Sequence, residues 1–369
     1  MAQCACPARK RFRRDSPIPT SHAFSVGLRV LKILIVQIGV MGDMVLTTPT
    51  FRAVAETLPD AEICVLASRR GAPVVQDNPR LRRVYVLQNN PLTWPLLILR
   101  LRLRRFDWWV DPKDHRSRTS AFIARACGVK NRIGYNQGSS APFSVSIPSF
   151  RDNRLLHAVD RNLQVLAPLG VAGPQKRRPE LFPHAGLSTK VCRQLPAAGS
   201  RTVMLNISAG MAMRRWRIEK WAQVAEACLN RGCKAILTCG PADRAKAEDL
   251  ERRQPGCVLI NSACIREIIA LMPTVDLVIT PDTSVVHIAS AFNVPIVALF
   301  AHGEQNLTKF RPLSEKAIVL QPQNQTWVET IDATEVIAAM DAMLGPQVPA
   351  HPLPTLSPTE PQTLVRYAA

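Results

Sequence analysis

The stretch VDLVITP at residues 275–281, followed at once by DTSVVH at residues 282–287, decides the fold class of this chain. The first part is an apolar run rich in β-branched residues, which is typical of a strand buried in a parallel sheet. The small polar residues after it predict a turn, and a helix is predicted to begin near Val285. The segment therefore indicates a strand–turn–helix unit of an α/β protein.

Polar groups gather at the start of this predicted helix. Unpaired backbone N–H groups and the helix dipole both favour anions at such a place, phosphates above all. A lone His is usually structural, but here it accompanies a carboxylate and hydroxyls. We therefore predict a phosphate or nucleotide site that includes Asp282, Thr283, Ser284 and His287. No carboxylates with metal-ligand spacing lie nearby, so we expect neither a divalent metal nor another cofactor.

The alternation of strand-like and helix-like segments continues in both directions from this site. Predicted strands cover residues 30–38, 62–67, 83–87, 108–111, 132–135, 202–207, 234–239, 258–260, 277–280 and 296–300. Predicted helices cover residues 44–57, 92–105, 117–127, 157–169, 219–231, 243–253, 265–272, 285–292 and one stretch within 326–344. Such alternation predicts right-handed βαβ units around parallel sheets. Two successive series predict two doubly wound domains facing across a cleft, with ligands at the carboxyl ends of the strands.

Composition divides the rest of the chain. Residues 1–28 form a basic tail, and residues 346–369 are rich in Pro and Thr; we expect both to be disordered. The two domains are predicted at residues 29–185 and 186–345, and the Pro- and Arg-rich stretch 171–200 is predicted to connect them.

Charge is distributed unevenly over the 369 residues, whose formal net charge is +19. Residues 1–160 contain 25 Lys and Arg but 11 Asp and Glu. This imbalance favours an anionic partner, such as a nucleic acid, a membrane surface or a phosphorylated ligand, although solubility alone also explains it. The run LRLRLRR at 99–105 fits an amphipathic surface resting on anionic lipid, and equally a helix packed on a sheet.

Three other protein classes fit the sequence poorly. No apolar run reaches about 18 residues, so we expect no membrane-spanning helix. Residues 1–26 lack the apolar segment of a secretory signal. Ten Cys form no Cys-x-x-Cys pair, which argues against zinc and against a disulfide framework. These features are typical of a protein of the reducing cytosol.

The loop GVMGD at 39–43 follows the first predicted strand. Its glycines allow close approach of a ligand to the backbone, but their spacing does not match a dinucleotide fingerprint. Asp43 is predicted either to cap the next helix or to act as a general base toward an attacking hydroxyl.

Two loops of the second series offer further candidates. The small residues Ser208 and Ala209 leave room for a diphosphate, and Arg214 is placed to donate charge-assisted hydrogen bonds to it. Asp243 follows another strand end, where it either binds a ribose hydroxyl or caps the following helix.

Four segments in the same order resemble glycosyltransferase family 9, the ADP-heptose:lipopolysaccharide heptosyltransferases, over about residues 31–345. They are KILIVQIGVMGDMVLTTP at 32–49, residues 107–111 with RIGY at 132–135, RRW at 214–216, and PDTSVVH at 281–287 with VPIVALF at 294–300. The resemblance implies a GT-B fold, in which two Rossmann-like domains face each other and the second holds most of the donor. It also implies inverting, metal-independent transfer from a sugar nucleotide.

Residue roles follow from the motifs and the resemblance together. Asp43 matches the catalytic base. The donor and its diphosphate are assigned to Ser208, Ala209, Arg214, Asp243, Asp282, Thr283, Ser284 and His287. The acceptor side is assigned to Gly42, Arg116 and Arg118. Ser284 stands where the family usually has Gly, and Arg217 where it usually has Pro; both departures bear on the identity of the donor.

The resemblance further implies the partners. The donor is expected to be ADP-heptose, and the acceptor a phosphorylated glycolipid, the lipopolysaccharide core. We predict a cytoplasmic protein, peripheral on the anionic inner face of the cytoplasmic membrane. One alternative is the same fold with another sugar nucleotide and glycan acceptor. Another is a basic nucleic-acid-binding protein, although the chain shows no motif for one and we expect no specific nucleic acid.

Overall fold

The computed structural model describes residues 30–346. Within that range it leaves out residues 116, 137–141, 150, 152, 172–176, 194, 196–199, 261–263 and 324–325. The two predicted tails, 1–28 and 346–369, lie outside the described residues except for Pro346.

The first half of the chain forms a sheet of six parallel strands in the order β3-β2-β1-β4-β5-β6. Its strands are β1 (Lys32–Gln37), β2 (Glu62–Ser68), β3 (Arg83–Leu87), β4 (Trp108–Val110), β5 (Asn131–Gly134) and β6 (Val145–Ser146). Its helices are α1 (Met41–Thr57), α2 (Ala72–Val75), α3 (Trp94–Arg104), α4 (Arg118–Ala126) and α5 (Ala158–Gln164). The central strands are apolar on both faces because helices cover both sides of the sheet.

The second half repeats the arrangement, with the strand order β12-β11-β10-β7-β8-β9, again all parallel. Its strands are β7 (Thr202–Asn206), β8 (Lys234–Thr238), β9 (Cys257–Leu259), β10 (Leu277–Pro281), β11 (Ile296–Leu299) and β12 (Ala317–Leu320). Its helices are α6 (Ala185–Cys192), α7 (Ile218–Asn230), α8 (Arg244–Arg253), α9 (Ile265–Leu271), α10 (Ser284–Ala291), α11 (Glu304–Phe310) and α12 (Ala333–Leu344). In each sheet the strand order reverses between the first and fourth strands, and a crevice opens at their carboxyl ends.

The two predicted series of strands are confirmed, but several boundaries were wrong. Helix α1 begins at Met41, so Gly42 and Asp43 lie in its first turn and not in a preceding loop. Helix α10 begins at Ser284, one residue earlier than expected. The helix predicted over 157–169 is the shorter α5 followed by a 3-10 turn, and the supposed connection 171–200 contains α6. The domain limits at 29–185 and 186–345 stay a prediction.

An apolar interface joins the halves. Helix α1 packs on α10 and α2 packs on α9, so that one continuous cluster of buried side chains includes residues of both sheets. An ion pair also crosses the interface: Nε and Nη2 of Arg266 each lie 2.8 Å from a carboxylate oxygen of Asp77. These contacts bring the carboxyl ends of β1 and β10 face to face.

Candidate active site

The turn between β1 and α1 places Asp43 at the carboxyl edge of the first sheet. The N–H of Gly39 donates to Oε1 of Gln37 at 3.1 Å, and the Ser68 hydroxyl donates to the Gly39 carbonyl at 2.7 Å. A Cβ at position 39 would lie 2.6 Å from Oδ2 of Asp43. The glycine therefore makes room for the carboxylate, which a larger residue would displace.

Asp43 is not the N-cap of α1, so that part of the prediction was wrong. Val40 occupies the N-cap position, and Asp43, three residues later, accepts a hydrogen bond from its backbone N–H. Burial raises the pKa of Asp43 above its usual value, and the positive charge of Lys309 opposes this rise. A carboxylate whose pKa is raised accepts a proton more readily, which suits a general base.

Lys309 reaches this site from the second half of the chain, on α11. Its pKa is lowered by burial and by the charge of Arg161, whereas Asp114 and Asp43 act in the opposite direction. Arg161 and Asp114 form a buried ion pair. Acidic and basic groups thus alternate around Asp43, and they come from both halves of the protein.

Asp282 lies directly after β10 and is buried. Its backbone carbonyl accepts a hydrogen bond from Nη1 of Arg214 at 3.0 Å, and its Oδ2 lies 3.1 Å from Nη2 of the same guanidinium. The side chain of Asn306 donates to that oxygen at 2.7 Å. Although burial raises the pKa of Asp282, Arg214 and Asn306 oppose the rise. Asp282 therefore orients Arg214, whose remaining N–H donors stay available for an anion.

Thr283 is the N-cap of α10, and its Oγ1 accepts a hydrogen bond from the N–H of Val285 at 3.2 Å. Asn206, at the end of β7, donates to Oγ1 of Thr280 at 2.8 Å and to Oγ1 of Thr283 at 3.2 Å. The two central strands of the second sheet therefore hold this turn together. Ser284 is the first helical residue, so its N–H belongs to the group that a helix leaves without an internal partner.

His287 is buried in the interface between the halves. A Cβ at Gly42 would lie 3.3 Å from its Cδ2, so imidazole and glycine are in contact. Burial, His157 and Arg214 together lower the pKa of His287 to about 3. The imidazole is consequently neutral near pH 7 and contributes no positive charge toward a diphosphate.

The remaining predicted residues lie in the loops after β7 and β8 and at the start of α4. Oγ of Ser208 accepts a hydrogen bond from the N–H of Gly240 at 2.8 Å, which ties the loops after β7 and β8 together, and Ala209 is buried beside it. Asp243 occupies the N-cap position of α8 but makes no side-chain capping bond there, and Lys246 lies 3.3 Å from its Oδ1. Arg118 is exposed at the start of α4.

Arg116, one of the residues predicted on the acceptor side, lies outside the described residues. The loop that precedes α4 nevertheless brings Lys113 and His115 close enough to Asp43 to oppose the rise of its pKa. These two residues, with Lys309 and Asn306, were missed in the sequence. Lys113 and His115 follow β4, the strand beside β1, so the rule that sites form at strand carboxyl ends was a usable signal.

Among the described residues, no group of three or more His, Cys, Asp and Glu is arranged to hold a metal ion. The expectation of a metal-independent reaction stays a prediction.

Comparison with known proteins gives the site its context. A sequence model of glycosyltransferase family 9 (heptosyltransferase) matches residues 96–336. The chain belongs to glycosyltransferase family 9. It is 28% identical over 333 residues to "Lipopolysaccharide heptosyltransferase 3" of Escherichia coli, covering 82% of this chain and 96% of that protein.

Solved structures of this family have the same fold. A glycosyltransferase family 9 protein from Veillonella parvula superposes with a TM-score of 0.76 at 20% identity, covering 86% of this chain and 98% of that one. The E. coli ADP-heptose lipopolysaccharide heptosyltransferase II gives a TM-score of 0.73 at 20% identity, covering 85% and 98%. The predicted family and GT-B fold are confirmed, and the chain is a glycosyltransferase. No helix in the described part of the protein is long and apolar enough to cross a membrane.

Proposed function

We propose that this family 9 glycosyltransferase transfers heptose from ADP-heptose to a lipopolysaccharide core acceptor, with inversion at the anomeric carbon and without a metal ion. The position of Asp43 carries the proposal: a partly buried carboxylate of raised pKa, at the carboxyl edge of the first sheet, faces the Asp282–His287 turn of the second. The names of its relatives support the choice of sugar, nucleotide and acceptor.

In the proposed reaction, Asp43 takes the proton of an acceptor hydroxyl as the oxygen attacks the anomeric carbon of the donor. A bond forms between that oxygen and the carbon, and the bond from the carbon to the diphosphate oxygen breaks on the opposite face. The nucleoside diphosphate leaves with the bonding electron pair. Asp43 afterwards releases its proton to water.

The developing negative charge on the diphosphate needs fixed positive partners. The N-terminus of α10, with the backbone N–H of Ser284, supplies one, and Arg214 supplies the other. On the acceptor side, Lys113 and His115 lie near Asp43 and are placed to receive a phosphate of the glycolipid core. We propose a cytoplasmic enzyme that works at the inner face of the membrane.

A test of the donor uses thermal unfolding with ADP, UDP, GDP and ADP-heptose in the presence of EDTA. Ligand at about 100 times its Kd adds about 2.7 kcal/mol to stability, so selective stabilisation by ADP and ADP-heptose is expected. A preference for UDP or GDP, or a loss of binding in EDTA, would overturn the donor or the metal-independent part of the proposal.

A second test addresses the base. We expect Asp43→Asn to lower kcat by about 10²- to 10⁴-fold, while ADP-heptose still stabilises the protein. Asp60→Asn, at an exposed carboxylate just beyond the other end of α1, is the matched control and should behave as the unchanged enzyme. Near-full transfer by Asp43→Asn would remove Asp43 from the role of base.

A further inference from the structure

Helix α3 is apolar on two opposite faces. Trp94, Leu97 and Leu101 point inward and pack against the cluster of the first sheet. Leu96, Leu99 and Leu103 recur at intervals of three and four residues, and each is more than half exposed. With about 100° of rotation per residue, these three leucines lie within roughly 60° of arc, on the side away from the sheet.

The exposed apolar surface extends beyond the helix. Leu92, just before α3, is 85% exposed, and Phe122 of α4 is more than half exposed. Helices α3 and α4 pack on the same cluster of the first sheet, and the ring of Phe122 lies 6.3 Å from that of Trp94, so the exposed Phe122 lies beside α3 in the same layer of helices. An apolar patch of this kind on a folded protein is typical of a surface that binds another protein or a membrane.

The surroundings of this patch are strongly basic. Between residues 78 and 106 the chain has seven Arg and neither Asp nor Glu. Arg80 and Arg104 pair with Glu180 and Glu62. The exposed side chains of the other five form no salt bridge to any acidic residue that the structure describes: Arg82, Arg83, Arg100, Arg102 and Arg105.

A cavity of about 650 Å³ lies between α3 and the edge strand β3. Arg83 and Arg100 line it together with the apolar side chains of Leu96 and Leu97 and the ring of Tyr85. Guanidinium groups next to an apolar wall match a lipid phosphate and the upper part of its acyl chains.

We propose that the docking face, defined as Leu92, Leu96, Leu99, Leu103 and Phe122 with the arginines around them, binds a bilayer containing anionic phospholipid. Charge complementarity favours an anionic bilayer as the partner of this face. A second copy of the chain would bring one basic face against another, and like charges repel. An anionic bilayer satisfies the arginines and accepts the leucines at the same time.

One end of the docking face lies at the same edge of the first sheet as Asp43. Leu92 lies in the loop after β3, at the same edge of the sheet from which Asp43 follows β1. Only β2 separates these strands, and neighbouring strands are about 4.8 Å apart, so the lateral offset is about 10 Å. The Leu92 end of the docking face therefore lies toward the acceptor side of the proposed site. This relation rests on the proposed function, whereas the binding itself does not.

The test is co-sedimentation of the full chain with vesicles, with neither sugar nucleotide nor glycolipid present. Vesicles containing phosphatidylglycerol should bind the protein, more weakly at high salt, and vesicles of phosphatidylcholine alone should bind far less. Arg100→Gln with Arg102→Gln should weaken binding about 30-fold, at about 1 kcal/mol per arginine near the surface. Arg252→Gln with Arg253→Gln, at the exposed end of α8, is the control of equal charge and should change little.

The contribution of the exposed leucines is tested with one leucine of the docking face and one of similar exposure outside it. Leu103 is 73% exposed and Leu155, near the opposite edge of the first sheet, is 77% exposed. Leu103→Ser should weaken vesicle binding by about tenfold and Leu155→Ser should not, since only the first side chain inserts into the interface. Equal effects of the two changes, or equal binding to neutral vesicles, would overturn the proposal. So would a change in oligomeric state in Leu103→Ser, which would assign the face to self-association. Intact vesicle binding without heptosyl transfer would count against the proposed function alone.

Discussion

Acidification should destabilise the protein through His157, which joins the two halves. Nδ1 of this imidazole accepts a hydrogen bond from the N–H of Val159 at 3.2 Å, at the start of α5. Nε2 lies 3.1 Å from the carbonyl of Arg311 and must carry the proton in order to donate to it. Only the neutral ring makes both bonds, and burial lowers the pKa of His157 to about 4.

The magnitude follows from the two pKa values. In the unfolded chain the His pKa is about 6.5, so at pH 5 the unfolded state has taken up a proton that the folded state has not. The stability that this neutral imidazole contributes is therefore present above pH 6.5 and is lost as pH falls toward 4. Between pH 7 and pH 5 the loss is about 2 kcal/mol.

The assay is urea unfolding at pH 7 and at pH 5. Between these pH values, His157→Gln should lose about 2 kcal/mol less free energy of unfolding than the unchanged protein. His184→Gln, which removes an exposed imidazole, should lose as much as the unchanged protein. Because each protein is compared with itself at the two pH values, a packing defect that lowers the stability of a variant equally at both values cancels. Equal losses in His157→Gln and the unchanged protein would refute the argument.

Other changes have separate expected results. Lys309→Met removes a positive charge that lowers the pKa of Asp43, so the acid limb of the kcat–pH profile should move to higher pH; Lys316→Met, at an exposed lysine, should leave it in place. Gly39→Ala puts a methyl group 2.6 Å from the Asp43 carboxylate and should lower kcat by at least about tenfold with little change in ADP affinity, whereas an unchanged kcat would contradict the tight fit. Arg217 has φ −71°, within the range of proline, so Arg217→Pro should change the free energy of unfolding by no more than about 1 kcal/mol in thermal unfolding; a larger loss would mean that its N–H or side chain is needed.

The sequence was most informative where strands are buried. An apolar run such as residues 277–281 is typical of a strand that is buried on both faces of a parallel sheet, and the strand–turn–helix unit follows from it. The start of α1 was misplaced because Val40 provides no side-chain cap, so that the helix lacks the usual Ser, Thr or Asp signal. As a result, Asp43, which lies in the first turn of α1, was predicted as a possible N-cap.

The residues missed at the site share a physical reason. Helix α11 has only seven residues, none of them fully buried, so its apolar pattern is too short to predict a helix. Asn306 becomes part of the site by donating to Asp282 within the second half, whereas Lys309 does so only because α11 lies against the first half. His157 is likewise an isolated residue whose partner is 154 positions away. Such long-range pairings leave no trace in local sequence.

The apolar interface between the halves limits how this chain can be recombined with its relatives. Each half has a complete Rossmann-like sheet, which makes it look like an exchangeable module. Yet α1 and α10 bury side chains against each other, and so do α2 and α9. A chimera that joins the first half of this chain to the second half of a relative must inherit these surfaces as a matched set. Sequence change in the interface helices of one half is therefore expected to be accompanied by change in the other, even where the substrates stay the same.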